Sequence, residues 1–292
     1  GATHIWAASA RSHSRPRWHK EIGDRRKTVT SPDFAAICEA FASRGYRFGA
    51  IVVDAALFVP QSRARLFIIG VKKDFDIPAN LIAGEPVGGF RTKQLIAAKA
   101  KLDPEVSENW VWWKLPLPRA RKTTFADLLE NPEDSAAWHT PAETKVLLDM
   151  MSPINIAKVK KAQQSGELSV GCVYKRTRRD AQDGKVQRAE VRFDGISGCL
   201  RTPAGGSSRQ VIVIVEGKKV RSRLITARET ARLMGLKDSY KLPDGYNDAY
   251  HLTGDGVAVP VVRHIAKHIL EPMVDAIEAA QSDLVDMMAE AA

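Results

Sequence analysis

The chain has 292 residues, 44% of them hydrophobic and 27% charged, which suits about two domains with buried cores and excludes a wholly disordered chain. Its 44 Lys and Arg against 34 Asp and Glu leave a formal charge of +10, which favours a polyanionic partner. No apolar run reaches the roughly 18–20 residues needed to span a bilayer, so the expectation is a basic, intracellular globular protein with no membrane partner.

Residues 1–30 are the oddest stretch. From Arg11 to Lys27 there are seven Lys/Arg and two Asp/Glu, a local +5, with almost no apolar periodicity. The opening is Arg- and Ser-rich and acid-poor, as in a transit peptide, but a solvated, partly disordered basic arm is the plainer reading. Ser31-Pro32-Asp33 opens a helix, with a capping oxygen at Ser31 and Pro in the first turn. Phe34, Ile37, Cys38 and Phe41 then form one apolar stripe, and Gly45 closes the helix. Phe48–Asp54 and Arg65–Val71 are short β-rich runs that read as buried strands.

Residues 72–160 are punctuated by Pro and Gly. Trp110, Trp112 and Trp113 cluster in WVWWKLPLP. Such a cluster serves as a stacking surface for bases or, more commonly, as an apolar plug. Thr124–Leu129 and Pro141–Met151 read as helices. Lys175–Arg192 holds seven Lys/Arg and three Asp/Glu, a local +4, with the alternation of β-hairpins. Lys175 and Arg176 in it are candidate DNA contacts. Thr202–Arg209 is rich in glycine and hydroxyls. Its backbone N–H groups, with Arg201, Ser207, Ser208 and Arg209, suit phosphate contact; a solvated turn is the alternative.

Thr226 and Glu229 form a capping box ahead of a helix whose apolar positions are Ala231, Leu233, Met234 and Leu236. Tyr250–Gly256 leads into a helix over Val257–Leu270 with Pro260 in its first turn, and an acidic amphipathic helix follows Pro272. His264 and His268 stand four apart, a pair better explained as a solvated helix face than as metal ligands. The three cysteines, Cys38, Cys172 and Cys199, form no C-x-x-C pair, so no disulfide framework and no metal site is expected.

Three segments together carry a resemblance. Val59-Pro-Gln-Ser-Arg-Ala-Arg-Leu-Phe-Ile-Ile-Gly70 resembles the Pro-Gln-x-Arg-x-Arg strand motif of DNA cytosine-5 methyltransferases. Arg223–Tyr240 looks like that family's ninth motif, and Ala249–Val259 like its tenth. The order is the family's, and the likeness covers roughly residues 33–275. It implies an α/β fold: an incomplete Rossmann-like S-adenosylmethionine-dependent methyltransferase domain with a smaller mixed α+β target-recognition domain. The corresponding division is a leader over 1–30, catalytic α/β sequence over 31–75, a target-recognition region over 76–220 and a return to the catalytic domain over 221–292.

The resemblance also implies chemistry. Such enzymes flip a cytosine out of duplex DNA, at a cost of a few kcal/mol. A cysteine thiolate attacks carbon 6, which activates carbon 5 towards the methyl group of S-adenosylmethionine. Charge builds on the base, so a fixed planar donor near its O2 and N3 helps. By resemblance Arg65 has this role, while Gln61 and Arg63 position the strand and nearby DNA. Gly254, Asp255, Gly256 and Val257 correspond to a turn at a helix start that lines the cofactor pocket. Asp255 replaces the usual Asn and faces either the cofactor's carboxylate or its amino group. Glu229 and Arg232 are expected to pair as scaffold.

The family's earlier motifs do not occur in this sequence. There is no Phe-x-Gly-x-Gly cofactor loop, no Pro-Cys nucleophile and no Glu-Asn-Val. The expectation is therefore the C-terminal part of a bacterial, cytoplasmic, nucleoid-associated enzyme. It would act on duplex DNA with an N-terminal complementary subunit that supplies the cysteine and shares the cofactor, and it predicts an exposed apolar face where absent strands would pack. A non-catalytic DNA-binding remnant and a truncated inactive product remain as alternatives.

Overall fold

The computed structural model describes residues 5–11, 32–84, 89–130, 138–179, 183–201 and 209–290. In chain order the elements are β1 (Ile5–Arg11), α1 (Pro32–Ser43), β2 (Tyr46–Asp54), β3 (Ala64–Lys72), α2 (Lys93–Lys99), α3 (Pro104–Ser107), α4 (Pro141–Asp149), α5 (Pro153–Gln164), β4 (Ser169–Arg179), β5 (Lys185–Arg192), β6 (Val211–Glu216), β7 (Lys219–Leu224), α6 (Ala227–Leu233), α7 (Tyr246–Asp255), α8 (Val259–Ile265) and α9 (Glu271–Glu290). Short 3-10 turns occur at Ala55–Leu57, Ala79–Leu81 and Ala126–Leu128, the last where a helix over Thr124–Leu129 is expected. A π turn over Ala266–Leu270 joins α8 to α9. No helix among the described residues is long and apolar enough to cross a membrane. The chain divides into two compact units, the first drawn from Gly1–Asp54, Ala64–Arg119 and Val262–Ala292, the second from Ala55–Arg63 and Ala120–Val261.

The first unit holds a three-stranded antiparallel sheet in the order β1-β3-β2. β1 pairs with β3 from Ile5↔Val71 to Arg11↔Arg65, so a strand stands within the stretch read as a basic arm; Ser31 and residues 12–30 lie outside the described residues. The β2–β3 register sets Phe48 opposite Gly70 and Ala50 opposite Ile68, which puts these residues on one face of the pleat. That face packs on Phe34, Cys38 and Phe41 of α1, with Leu95 of α2 and Val106 of α3. Of the predicted α1 stripe only Ile37 turns outward, at 38% exposure. A Cβ at Gly70 would stand 2.5 Å from the Phe41 ring, so glycine there allows α1 to lie on the sheet.

The tryptophan run is an apolar plug. Val111 N donates to Phe48 O at 2.7 Å and Phe48 N to Asn109 O at 2.9 Å, which lays the segment along β2. Trp113 is buried, and Trp110 and Trp112 pack against the same core as Phe48. The expected bare apolar face does not occur on β2 or β3. Phe48, Ala50, Ile51 and Val53 are buried, as are Phe67, Ile68, Ile69 and Val71, so both faces of the pair are covered.

The second unit is built on a four-stranded antiparallel sheet in the order β5-β4-β6-β7. The expected hairpin at Lys175–Arg192 is β4–β5, paired from Cys172↔Arg192 to Arg179↔Lys185. β6 explains the layering, because its sequence VIVIVE is apolar on both faces. Val211, Val213 and Val215 pack on Leu147 and Met151 and on Val159 and Ala162 of α5. Ile212 and Ile214 pack on Phe125, Leu200, Ile225, Leu233, Met234 and Tyr250. The sheet is thus the middle of three layers. The predicted capping box at Thr226–Glu229 is present on α6, and another at Thr140–Glu143 starts α4.

The compact units cut the chain at different points from the sequence division. Residues 76–119 join the first unit, through the Trp110–Trp113 segment along β2, and 221–261 join the second, through β7 and the core under α6 and α7.

Candidate functional site

The Pro-Gln motif folds as a closed loop at the start of β3. Ala55 N donates to Arg63 O at 3.0 Å, and Val59 N to Ala55 O at 2.8 Å. Backbone bonds then lay the loop along residues 196–200. Ser197 N donates to Pro60 O at 2.8 Å, and Ser62 N to Ser197 O at 3.0 Å. Gln61 is fully buried and uses both ends of its amide. Its Nε2 donates to Leu233 O at 2.8 Å, at the end of α6, and its Oε1 accepts from Leu200 N at 3.2 Å.

Arg63 is 1% exposed. Its Nη1 donates to Leu200 O at 2.9 Å, and its Nη2 to Gly254 O at 2.8 Å and to Gly256 O. A guanidinium so deeply buried is tolerable only when acceptors replace water. Here two of the three acceptors, Gly254 O and Gly256 O, are carbonyls at the C-terminal end of α7, where the helix dipole is negative and a cation is favoured. Gln61 and Arg63 therefore tie the Pro-Gln loop to residues 197–200 and to the ends of α6 and α7. The side chains expected partly at DNA are enclosed by protein in this unit.

Arg65 stands in the first unit, on β3, opposite Val53 and Arg11. It is 8% exposed, and its Nη1 donates to Ala64 O at 2.9 Å. Arg63 precedes the strand, in the second unit, and Arg65 is within it, in the first.

The expected cofactor turn is a helix end as well as a helix start. α7 runs through Gly254 to Asp255, and Gly256 N donates back to Leu252 O at 3.0 Å. The segment expected to lead into the next helix is thus mostly helical itself. The N–H of Gly256 is used by its own helix, the carbonyls of Gly254 and Gly256 are used by Arg63, and Asp255 is exposed. The negative end of α7 with an acid beside it suits a cationic group and disfavours a carboxylate. Val259 N donates to Met234 O at 2.9 Å, so the start of α8 is tied to the end of α6. Gly235 completes this joint: its φ is +74°, and a Cβ there would stand 2.4 Å from the Pro260 ring.

The candidate DNA residues divide. Lys175 and Arg176 are neighbours on β4 and so point to opposite faces. Arg176 lies over the Tyr174 ring at 4.6 Å and pairs with Glu190 at 3.5 Å. Arg201 is exposed. Arg209 lies 5.3 Å over the Tyr246 ring and donates to Asn247 Oδ1. Ser207 and Ser208 lie outside the described residues.

Glu229 pairs with Arg223, not with Arg232. The two buried side chains meet at 2.6 and 2.8 Å, while Arg232 pairs with Asp238 at 2.7 Å on the surface. The expected pairing runs along one helix, whereas the partner comes from β7. Asp194, which accepts from Arg192 two residues before it, has no expected role. Charged residues two apart on a strand end were the signal.

Two thiols are unsuited to nucleophilic work. Burial pushes Cys38 up to about 12, and it also raises the buried Cys172 thiol. Cys199 is half-buried, with its Sγ 3.3 Å from Leu200 O. Among the described residues no group of three or more His, Cys, Asp or Glu side chains is placed to hold a metal ion.

Residues 24–271 match the family model of the C-5 cytosine-specific DNA methylases. The chain is 39% identical over 261 residues to the type II methyltransferase M1.ScrFI of Lactococcus lactis subsp. cremoris, covering 80% of this chain and 60% of that protein. It is 27% identical over 204 residues to the orphan methyltransferase M.SPBetaI of Bacillus phage SPbeta, covering 69% of this chain and 42% of that protein. The chain thus spans about half the length of these curated relatives. A solved structure of the Entamoeba histolytica methyltransferase EhMeth aligns with a TM-score of 0.47 at 11% identity, over 83% of this chain and 59% of that one. The match over most of its residues establishes that the chain belongs to the C-5 cytosine-specific DNA methylase family.

Proposed function

We propose that these residues form the C-terminal share of a DNA cytosine-5 methyltransferase, acting on duplex DNA. The observation that carries the reading is the buried clamp. Gln61 and Arg63 join, in one hydrogen-bonded unit, the three segments in which the family likeness resides. The likeness is therefore a packed core of the molecule and not three unrelated matches.

In the proposed reaction a cytosine is swung out of the duplex and a thiolate adds to carbon 6. That addition drives negative charge onto the base oxygen and nitrogen. Arg65 donates to this charge through its planar guanidinium. Gln61 and Arg63 are positioning residues, acting through the backbone at Leu200, Gly254 and Gly256. S-adenosylmethionine, the methyl donor the family implies, supplies an electrophilic methyl group. Asp255, exposed beside the end of α7, would hold its cationic amino group. The nucleophilic cysteine and main cofactor loop come from sequence outside these 292 residues, as a complementary segment or subunit. Arg201 and Arg209 with the β4–β5 hairpin supply DNA contacts, whose affinity falls steeply with salt.

The test is transfer of labelled methyl from S-adenosylmethionine to duplex DNA. The chain is assayed alone and with a complementary segment carrying Pro-Cys and Glu-Asn-Val. The expected result is no turnover alone and turnover when combined. Arg65→Ala should abolish turnover of the pair while leaving most DNA affinity. Robust turnover by the chain alone would refute the proposed division of the site. DNA binding without turnover in the combined assay would instead mark a non-catalytic DNA-binding protein.

A further inference from the structure

The β4–β5 hairpin carries a second arrangement of charged groups, apart from the clamp. Its register pairs Cys172 with Arg192 and Tyr174 with Glu190, so Tyr174, Glu190 and Arg192 share one face. A groove of about 320 Å³ opens beside them, lined by Asn155, Lys158, Tyr174, Glu190, Arg192 and Asp194 among others. Lys158 is fixed in it, donating to Asn155 Oδ1 at 3.1 Å and to Val191 O at 3.0 Å.

Arg192 Nε donates to Asp194 Oδ1 at 2.7 Å, and its Nη2 donates to Oδ2. This contact takes the side edge of the guanidinium. Its end edge, Nη1 with the second hydrogen of Nη2, meets no acceptor among the described residues. The side chain keeps 27% of its surface exposed.

An arginine offers only donors, so a nucleic-acid ligand must present acceptors. Two adjacent acceptors that fit its fork are offered by phosphate oxygens or, on a base edge in the major groove, by the O6 and N7 of guanine. Paired with Asp194, Arg192 brings almost no net charge to a phosphate, and the carboxylate repels it. A base edge carries no net charge and needs a planar fork held in one rotamer. Asp194 supplies that hold.

We infer that Arg192, braced by Asp194, is a specificity-determining residue that reads a guanine in the major groove of duplex DNA. The inference rests on the reading of the chain as DNA-acting.

The test is equilibrium selection by the full chain from a randomised duplex library, with salt titrations on the best sequence. Wild type should select a site with one fixed guanine. Arg192→Lys, which keeps the charge and loses the fork, should relax preference at that base pair roughly ten- to hundredfold. The slope of log affinity against log salt should stay unchanged. Asp194→Ala should relax the same position and no other. Unchanged preference in Arg192→Lys, or uniform weakening on all sequences with a slope smaller by about one, overturns the inference and leaves the methyltransferase reading standing. Absence of duplex binding by the wild-type chain overturns the inference, while the methyltransferase reading is decided by the combined methyl-transfer assay.

Discussion

The buried guanidinium of Arg223 meets the buried carboxylate of Glu229 through two parallel bonds, Nη1 to Oε2 at 2.8 Å and Nη2 to Oε1 at 2.6 Å. The same carboxylate accepts from Glu130 N at 2.9 Å and from Thr226 N at 2.9 Å. One side chain thus joins β7, the start of α6 and the segment before residue 131. Removing one partner leaves the other buried and charged. Glu229→Ala should lower stability by about 3–5 kcal/mol, read by urea denaturation. Replacing both with Arg223→Met and Glu229→Leu should recover much of that loss. An equal or larger loss in the double variant would show that the backbone bonds, not the ion pair, dominate.

Arg63 offers a second test. Lysine keeps the charge but cannot donate along two directions in a plane, so it satisfies fewer of the carbonyls at Leu200, Gly254 and Gly256. At about 1–3 kcal/mol for each orphaned acceptor, Arg63→Lys should cost about 2–5 kcal/mol. Amide exchange should quicken first in the last turn of α7. If exchange there is unchanged, the carbonyls find other donors and the clamp is not what holds that turn.

The joint of α6 with α8 depends on Gly235. Its left-handed backbone costs a residue with a Cβ about 1–2 kcal/mol, and contact with Pro260 adds about 1–3 kcal/mol of overpacking. Gly235→Ala should therefore lower the melting temperature clearly, whereas Gly217→Ala should show only the backbone cost, since nothing lies within 4 Å of its Cβ position. Equal effects at the two sites would mean that Pro260 yields.

Acid should loosen the β5 end. The hydrogen bond from Arg192 holds the Asp194 carboxyl below the usual carboxylate range. A group depressed on folding contributes stability that is fully present above its unfolded pKa, about 4, and is lost as pH falls through the lower folded value. The contribution is small, because the Asp194 side chain is 54% exposed and screened by solvent. Asp194→Asn should flatten the acid limb of the stability curve and leave neutral stability little changed. An acid limb identical to wild type would place the acid sensitivity at other carboxylates.

Thiol labelling separates the cysteines. Cys38 and Cys172 are buried with raised thiol pKa values, and Cys199 is half-buried. Mass spectrometry after brief iodoacetamide treatment of native protein should find Cys199 modified and the other two protected. Modification of Cys172 before Cys199 would contradict the packing between β4 and Gln210, where Cys172 Sγ lies 2.9 Å from Oε1.

What the sequence by itself determined are the features written in neighbouring residues. The capping box at Thr226–Glu229, the hairpin over Lys175–Arg192 and the apolar stripe of α1 apart from Ile37 appear where local spacing put them, because caps and pleats are decided within a few residues. The strand motif, the ninth motif and the tenth likewise marked the family. Only the tertiary structure decided partners. Arg223, not Arg232, meets Glu229, because a buried carboxylate takes the cation that packing delivers from another strand. Arg63 caps α7 because the fold brings a helix end, rich in unpaired carbonyls, against a loop nearly two hundred positions earlier in the chain. Arg63 and Arg65 stand two positions apart in one motif, but the fold assigned them to different compact units, since β3 begins between them.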